Sequence, residues 1–394
     1  MRLTDQTFNR LKALRTLRRE GAISRVELAH RTGLAKGTMT TLADELISKG
    51  LLMEDPPLHT SRGRPRINLR IRADAAYAVS LFPLAGDDMA SVDIVDMHGN
   101  QLYNYVGAFS RLMPAEELPE AIARLVEQCL EGAPLLRPAV KVAAIIIPGQ
   151  IDQRRGVVHW LPDVGPEVPL PLKEILEPMI GIPVVVENRA TVVARAEHWF
   201  GPSETSDNFS LFALMEWGMS GARYQNGTLQ SGYNGMNSEM SHIKIAFEGG
   251  RSCFCGGTGC LASYATATAV VLMLAERRGQ AAPAEPHSEE LFAEAVSSAR
   301  KGDQAALAVF ATAGRALGMA IAGHVNEHDP GRVILSSTRG DFLELIRPAF
   351  QATCEREMLP ALRRQTVVET IEFARDLAWR GAAAVAIEEV FLTF

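Results

Sequence analysis

The chain has 394 residues, 47% of them hydrophobic and 22% charged, a composition that excludes a disordered or collagen-like protein. Its length favours two or three domains over one. The formal net charge of −6 is unevenly spread: residues 1–72 hold 15 Lys+Arg against 7 Asp+Glu, and the remainder 25 against 39. An acidic body with a basic head suits a polyanionic partner at the head. Unbroken apolar runs such as Val142–Pro148 fall well short of the roughly 18 to 20 residues of a membrane span. The opening residues, MRLTDQTFNRLKALR, hold no apolar signal-peptide core, and nothing about the five cysteines points to secretion. The expectation is a cytoplasmic protein with reduced thiols and no membrane contact.

In the head, Leu11, Leu14 and Leu17 recur at helical spacing until Gly21. Ser24 with Glu27 three positions later reads as a capping box for a short helix that Gly33 ends. A turn leads into AKGTMTTLADELISKG, where Met39, Leu42 and Leu46 make one apolar stripe and Gly50 supplies the stop. This order predicts a helix-turn-helix, whose second helix presents its first turn, with Lys36, Thr38 and Thr40, to base edges in a major groove. Two short alternating stretches then flank a loop with Arg62, Gly63, Arg64, Pro65 and Arg66, the pattern of a wing. Arginines on an extended Gly/Pro frame suit a minor groove. The plain alternative is a charged linker.

From Tyr77 the pattern becomes strand, turn, strand, Gly turn, strand, and the stretch from Asn208 repeats that order. Each half continues into helix and strand material, VAAIIIPGQID in the first and RVILSSTRG in the second. Two similar α/β units suggest paired lobes around a ligand cleft.

Residues 242–260, HIKIAFEGGRSCFCGGTGC, offer His242, Cys253, Cys255 and Cys260. One nitrogen and three sulfurs are the ligand set of a closed tetrahedral zinc site, structural because no position stays open for catalysis. Gly256, Gly257 and Gly259 let the backbone curl around one ion. A redox pair or unliganded thiols are the alternatives, and a C-x-C pair closes a mutual disulfide poorly.

The winged head with GRP, PGQID at 148–152, VVVENRA at 184–190, SEMSH at 238–242 and CFCGGTGC at 253–260 together resemble the ROK family of bacterial sugar-responsive repressors and sugar kinases. The resemblance implies an N-terminal winged helix-turn-helix over 1–72, then a two-lobed α/β actin-like, sugar-kinase-type body. The first lobe would span 73–200, rejoined by a C-terminal helix over 376–394, and the second, with the zinc site, 201–375. It implies the same His and three Cys as zinc ligands, and Gly149, Asn188, Glu239 and His242 as sugar-contacting positions. The added head points to the repressor branch: a homodimer or homotetramer on a double-stranded DNA operator, answering to a sugar or sugar derivative.

Departures from the family pattern concern catalysis. Family kinases carry an aspartate base in E-N-D-A-N, where this chain has Glu187, Asn188, Arg189, Ala190 and Thr191, and arginine cannot act as a base. The turns LFPLAGD and Glu216–Trp217–Gly218–Met219–Ser220 lack the kinases' glycine pattern, ILSSTRG stands where they have paired glycines, and Ala262 replaces an acid. These changes predict a non-enzyme. The alternatives are an active sugar kinase with an added head, and an effector-independent DNA-binding protein with a vestigial body. Arg189 has two readings: a guanidinium for an acidic or phosphorylated effector, or an internal partner of Glu187 or Glu216.

Overall fold

The structure, a computed structural model, describes residues 5–56, 67–84, 88–110, 113–161, 169–201, 207–215, 218–236, 239–372 and 375–392. The head runs α1 (Asp5–Glu20), β1 (Ile23–Ser24), α2 (Arg25–Thr32), α3 (Lys36–Ser48), β2 (Leu52–Glu54) and β3 (Asn68–Ile71). Ser24 caps α2 by accepting from the Glu27 amide at 3.3 Å, and Gly33 ends that helix at φ +69°. The expected capping box is half formed, because the Glu27 carboxylate accepts from Arg31 at 2.9 Å instead of reaching back to Ser24. Met39, Leu42 and Leu46 are buried along α3. The three short strands pair antiparallel in the order β1-β3-β2, so β2 and β3 form the stem of the wing. Arg62, Arg64 and Arg66 lie outside the described residues.

The first lobe contains β4 (Tyr77–Pro83), β5 (Met89–Asp96), β6 (Gln101–Ala108), α4 (Leu118–Gly132), β7 (Val140–Ile146), β8 (Gln150–Asp152), β9 (Val157–Trp160), α5 (Leu172–Ile180), β10 (Val184–Glu187) and α6 (Arg189–Phe200). The second contains β11 (Phe209–Leu214), β12 (Met219–Gln225), β13 (Thr228–Leu229), α7 (Ala262–Ala265), α8 (Ala267–Arg277), α9 (Glu289–Arg300), α10 (Gln304–His328), β14 (Arg332–Ser337), α11 (Gly340–Glu357), α12 (Pro360–Gln365) and β15 (Val367–Glu372). The chain closes with α13 (Arg375–Leu392). Strand order is β10-β7-β4-β5-β6 in one sheet and β13-β12-β11-β14-β15 in the other. Each sheet has three successive antiparallel strands and then two parallel ones, reached through helical crossovers because parallel neighbours cannot be joined by a tight turn. The doubled unit legible in the sequence is present strand for strand.

By packing, the chain forms two units, Met1–Ser203 with Arg375–Phe394, and Glu204–Ala374. Residue 72 marks a change of pattern but not of core. One apolar cluster joins Leu14, Leu17 and Met39 of the head to Met97, to Trp199 of α6, and to Ala384 and Ile387 of α13. In the second unit, α10 has the length and composition of a membrane span, which a search for unbroken apolar runs passes over. Its buried Val309, Phe310, Ala313, Leu317 and Ile321 belong to that unit's core.

Candidate functional sites

On the head, Lys36, Thr38 and Thr40 are exposed at the start of α3, together with Thr41, which the sequence reading did not single out. Thr40 Oγ1 donates to Lys36 O at 3.0 Å, so part of its hydrogen-bonding capacity is spent within the helix. Ala35 at the N-cap supplies no side-chain acceptor to the first amides of α3, which suits an external acceptor such as a phosphate. Arg25, by contrast, is held by Asp44 at 2.8 Å and by Glu54.

The sugar-position candidates divide between the units: Gly149, Asn188 and Arg189 in the first, Glu239 and His242 in the second. Gly149 sits at φ +125°, and a Cβ there would meet Trp160 O at 2.3 Å, so only glycine fits. Asn188 caps α6, its Oδ1 accepting from Thr191 N at 2.9 Å and Thr191 Oγ1 at 3.0 Å. Gln153 Nε2 donates to the same hydroxyl at 2.7 Å, which locks this corner. Arg189 donates to Pro83 O at 2.6 Å and lies 4.5 Å over the Phe82 ring. Glu187, one of its two expected partners, is held instead by Arg195, whose Nη2 lies 2.7 Å from Oε1, and Glu216 lies outside the described residues. Burial raises the Glu187 carboxyl above the ordinary range against the pull of Arg195. In the second unit, the protein packed around Glu239 pushes its carboxyl up to about 7, although the residue keeps solvent access. Ala262 is buried at the start of α7. In ILSSTRG, Arg339 is buried at the head of α11, ion-paired with Glu289 and 4.4 Å over Phe292.

His242, Cys253, Cys255 and Cys260 come together with all ligand atoms within 4.8 Å of one another. Cys253 Sγ is 3.7 Å from His242 Nδ1, and Cys255 Sγ is 3.8 Å from Cys260 Sγ. A tetrahedron with bonds of about 2.3 Å has edges of about 3.8 Å, so the donor set and its spacing fit a zinc ion. The sulfur separation is far beyond a disulfide bond, and all five cysteines are free thiols. Gly256 and Gly259 adopt φ +82° and +71°, and a Cβ at Gly259 would meet Ala246 O at 2.4 Å, so the glycines are required for this loop. Lys244, absent from the sequence reading, donates to Cys260 Sγ at 3.0 Å and Thr258 O at 2.8 Å. With a divalent ion bound, its charge would offset the excess negative charge of three thiolates. Cys129 and Cys354 lie elsewhere, where burial pushes each thiol up to about 12 and leaves it inert.

A model of the ROK family matches residues 85–389. The chain belongs to the ROK family. Its head, matched over residues 7–56 by a model of the MarR family, is a MarR-type winged helix ahead of the ROK body. This ROK protein is 26% identical over 371 residues to the DNA-binding transcriptional dual regulator NagC of Escherichia coli (strain K12), covering 90% of this chain and 86% of that relative. It is 22% identical over 392 residues to the xylose repressor of Bacillus spizizenii, covering 98% of each. Among solved structures, a ROK family transcriptional regulator homologous to the E. coli MLC protein shares the fold with a TM-score of 0.79 at 23% identity, over 98% of both chains. A ROK family glucokinase from Streptomyces griseus, in complex with glucose and AMPPNP, matches with a TM-score of 0.62 at 25% identity, covering 79% of this chain and 98% of that one.

Proposed function

We propose that this ROK protein is a cytoplasmic DNA-binding transcriptional regulator, a repressor of a sugar or sugar-derivative pathway, and not a kinase. The observation that carries the reading is the MarR-type head joined to a ROK body, an arrangement that matches regulators over nearly their whole length. Lys36, Thr38 and Thr40 of α3 would meet the major groove, and Arg62, Arg64 and Arg66 the minor groove. The chain would act as a homodimer or homotetramer, since two heads on two half-sites multiply affinity and fix spacing. Gly149, Asn188, Arg189, Glu239 and His242 would hold the effector. Binding need favour one arrangement of the protein by only about 1 to 3 kcal/mol to alter operator affinity.

His242, Cys253, Cys255 and Cys260 would hold one structural zinc ion, which contributes folding energy when bound. The non-enzyme reading is supported by Arg189 at the place of the kinases' base, and by the buried Arg339, paired with the exposed Glu289, where they keep paired glycines. The test is direct: purified protein is offered ATP with glucose, xylose and N-acetylglucosamine, and separately a random-sequence duplex library. Selection of a defined duplex with no ATP-dependent phosphorylation is the expected result. Turnover of any of these sugars would make the chain a sugar kinase with an added head.

A further inference from the structure

Three arginines of α1 do not face outward as a basic patch would. Arg15 Nη1 lies 2.7 Å from His198 Nε2, and Arg19 Nη2 donates to His198 O at 3.1 Å. Arg18 Nη2 donates to His98 O at 3.1 Å, with its guanidinium 4.5 Å over the Phe200 ring. Leu14 and Leu17 of the same helix pack into the cluster that contains Trp199. His198, Trp199 and Phe200 are the last turn of α6, where helix carbonyls lack internal partners and the dipole is negative, so cations dock there favourably.

The other end of α6 is Asn188 and Arg189. Twelve residues span about 18 Å, and the helix between has little freedom to absorb a displacement. Ala190, Val192, Val193, Ala194 and Ala196 are buried. Glu388 of α13 accepts from Trp199 Nε1 at 2.8 Å and pairs with Arg195. Gly381 of α13 lies so close to Val192 that a Cβ would meet Val192 Cγ1 at 2.3 Å. The two helices form one stiff pair.

We propose that α6 is a strut that carries the state of residues 188 and 189 to the head, and that Arg15, Arg18 and Arg19 are its docking residues and not phosphate contacts. The proposal rests on the DNA-binding reading above for its consequence, but the strut itself is a property of the chain alone. A change at Asn188 or Arg189 moves α6 as a body, and the arginines convert that movement into a change of head orientation.

Two measurements on the full chain test it. In the first, a duplex selected by the wild-type protein from a random library is titrated across salt concentrations with wild type, Arg15→Ala and Lys36→Ala. Each phosphate contact contributes about one to the slope of log affinity against log salt, so Lys36→Ala should lower the slope by about one. Arg15→Ala should weaken binding with the slope unchanged, and a slope lowered by about one would make Arg15 a phosphate contact and overturn the docking role. Arg15→Gln, a milder change, is read the same way if Arg15→Ala does not fold. In the second, hydrogen exchange is followed without DNA. Arg189→Ala should speed exchange of the α1 amides from Arg15 to Glu20 as well as the first turn of α6. Faster exchange at α6 with α1 unaltered would overturn the strut. If no duplex is selected, the DNA-binding reading fails and the exchange result alone decides the strut.

Discussion

By its resemblance to the kinases' E-N-D-A-N motif Arg189 falls at the place of a carboxylate base, and a guanidinium stays protonated at every working pH, so it can orient or attract but cannot accept a proton. Its hydrogen bond to Pro83 O and its place over Phe82 fix the direction of the group. A planar guanidinium held in a fixed direction suits the paired oxygens of a ligand carboxylate or phosphate, which a neutral hexose does not offer. Acidic or phosphorylated sugars should therefore raise the melting temperature more than neutral ones. Arg189→Ala should reduce that preference by about 1.5 to 3 kcal/mol, the range for hydrogen bonds to charged groups. A neutral sugar that binds best, with affinity untouched by Arg189→Ala, would remove the anionic effector from consideration. At the metal cluster, elemental analysis should find about one zinc per chain, and Cys255→Ser or chelation should lower the melting temperature markedly. Metal-free protein with an unchanged melting temperature would sink the zinc site. That His242, Cys253, Cys255 and Cys260 would come together was legible because they fall within nineteen positions. Lys244 was not, because a lysine between such ligands reads as surface charge until its Nζ is placed 3.0 Å from a cysteine sulfur.

At the level of elements, the periodicities that make α3 and the paired sheets are local, so the sequence displays them. Apolar stripes, a capping serine and terminal glycines identify a helix without reference to what covers it. What covers it is set by residues far away: the cap of α2 was visible, but the docking of α1 against His198 joins positions 183 apart. The crossing of α6 and α13 is of the same kind, since Gly381 sits in an alanine-rich stretch and nothing nearby announces Val192. Replacing a helix-interior glycine by alanine normally gains about 1 kcal/mol of helix propensity. At Gly381 the new Cβ would meet Val192 Cγ1 at 2.3 Å and the Val192 backbone oxygen at 2.4 Å. The second of these cannot rotate away, and overpacking costs typically 1 to 3 kcal/mol, so the penalty exceeds the gain. Gly381→Ala should thus lower unfolding free energy in denaturant titration. Gly323→Ala on the exposed face of α10, where nothing lies within 4 Å, should raise it by about 1 kcal/mol. Equal effects at both positions would contradict the close crossing.

For the molecule as a whole, charge asymmetry supports the proposed DNA partner with only part of the charge it counts. The excess of positive charge in residues 1–72 counts Arg15, Arg18 and Arg19, which are engaged with the first lobe, and Arg25, which is paired with Asp44 and Glu54. Charge counted along a sequence cannot distinguish a cation that meets a polyanion from one that meets its own chain. The cations proposed for DNA are then few in one copy: Lys36 on α3, and Arg62, Arg64 and Arg66, which lie outside the described residues. A single head with so few phosphate contacts would bind with modest affinity, because each contact releases only roughly one counterion. Two heads tied together make the second binding event intramolecular and recover affinity and specificity without new contacts. The duplex recovered by selection should therefore contain two half-sites related by two-fold symmetry, with centres separated by one helical turn, about 10 to 10.5 base pairs, or a multiple of it. Inserting half a turn, about five base pairs, between the half-sites should abolish tight binding by turning one site to the opposite face, whereas inserting a full turn should restore part of it. Footprinting and titration of these duplexes provide the check. A single half-site bound as tightly as the pair would mean that one head suffices, and that the arginines engaged with the lobe must be released to the DNA.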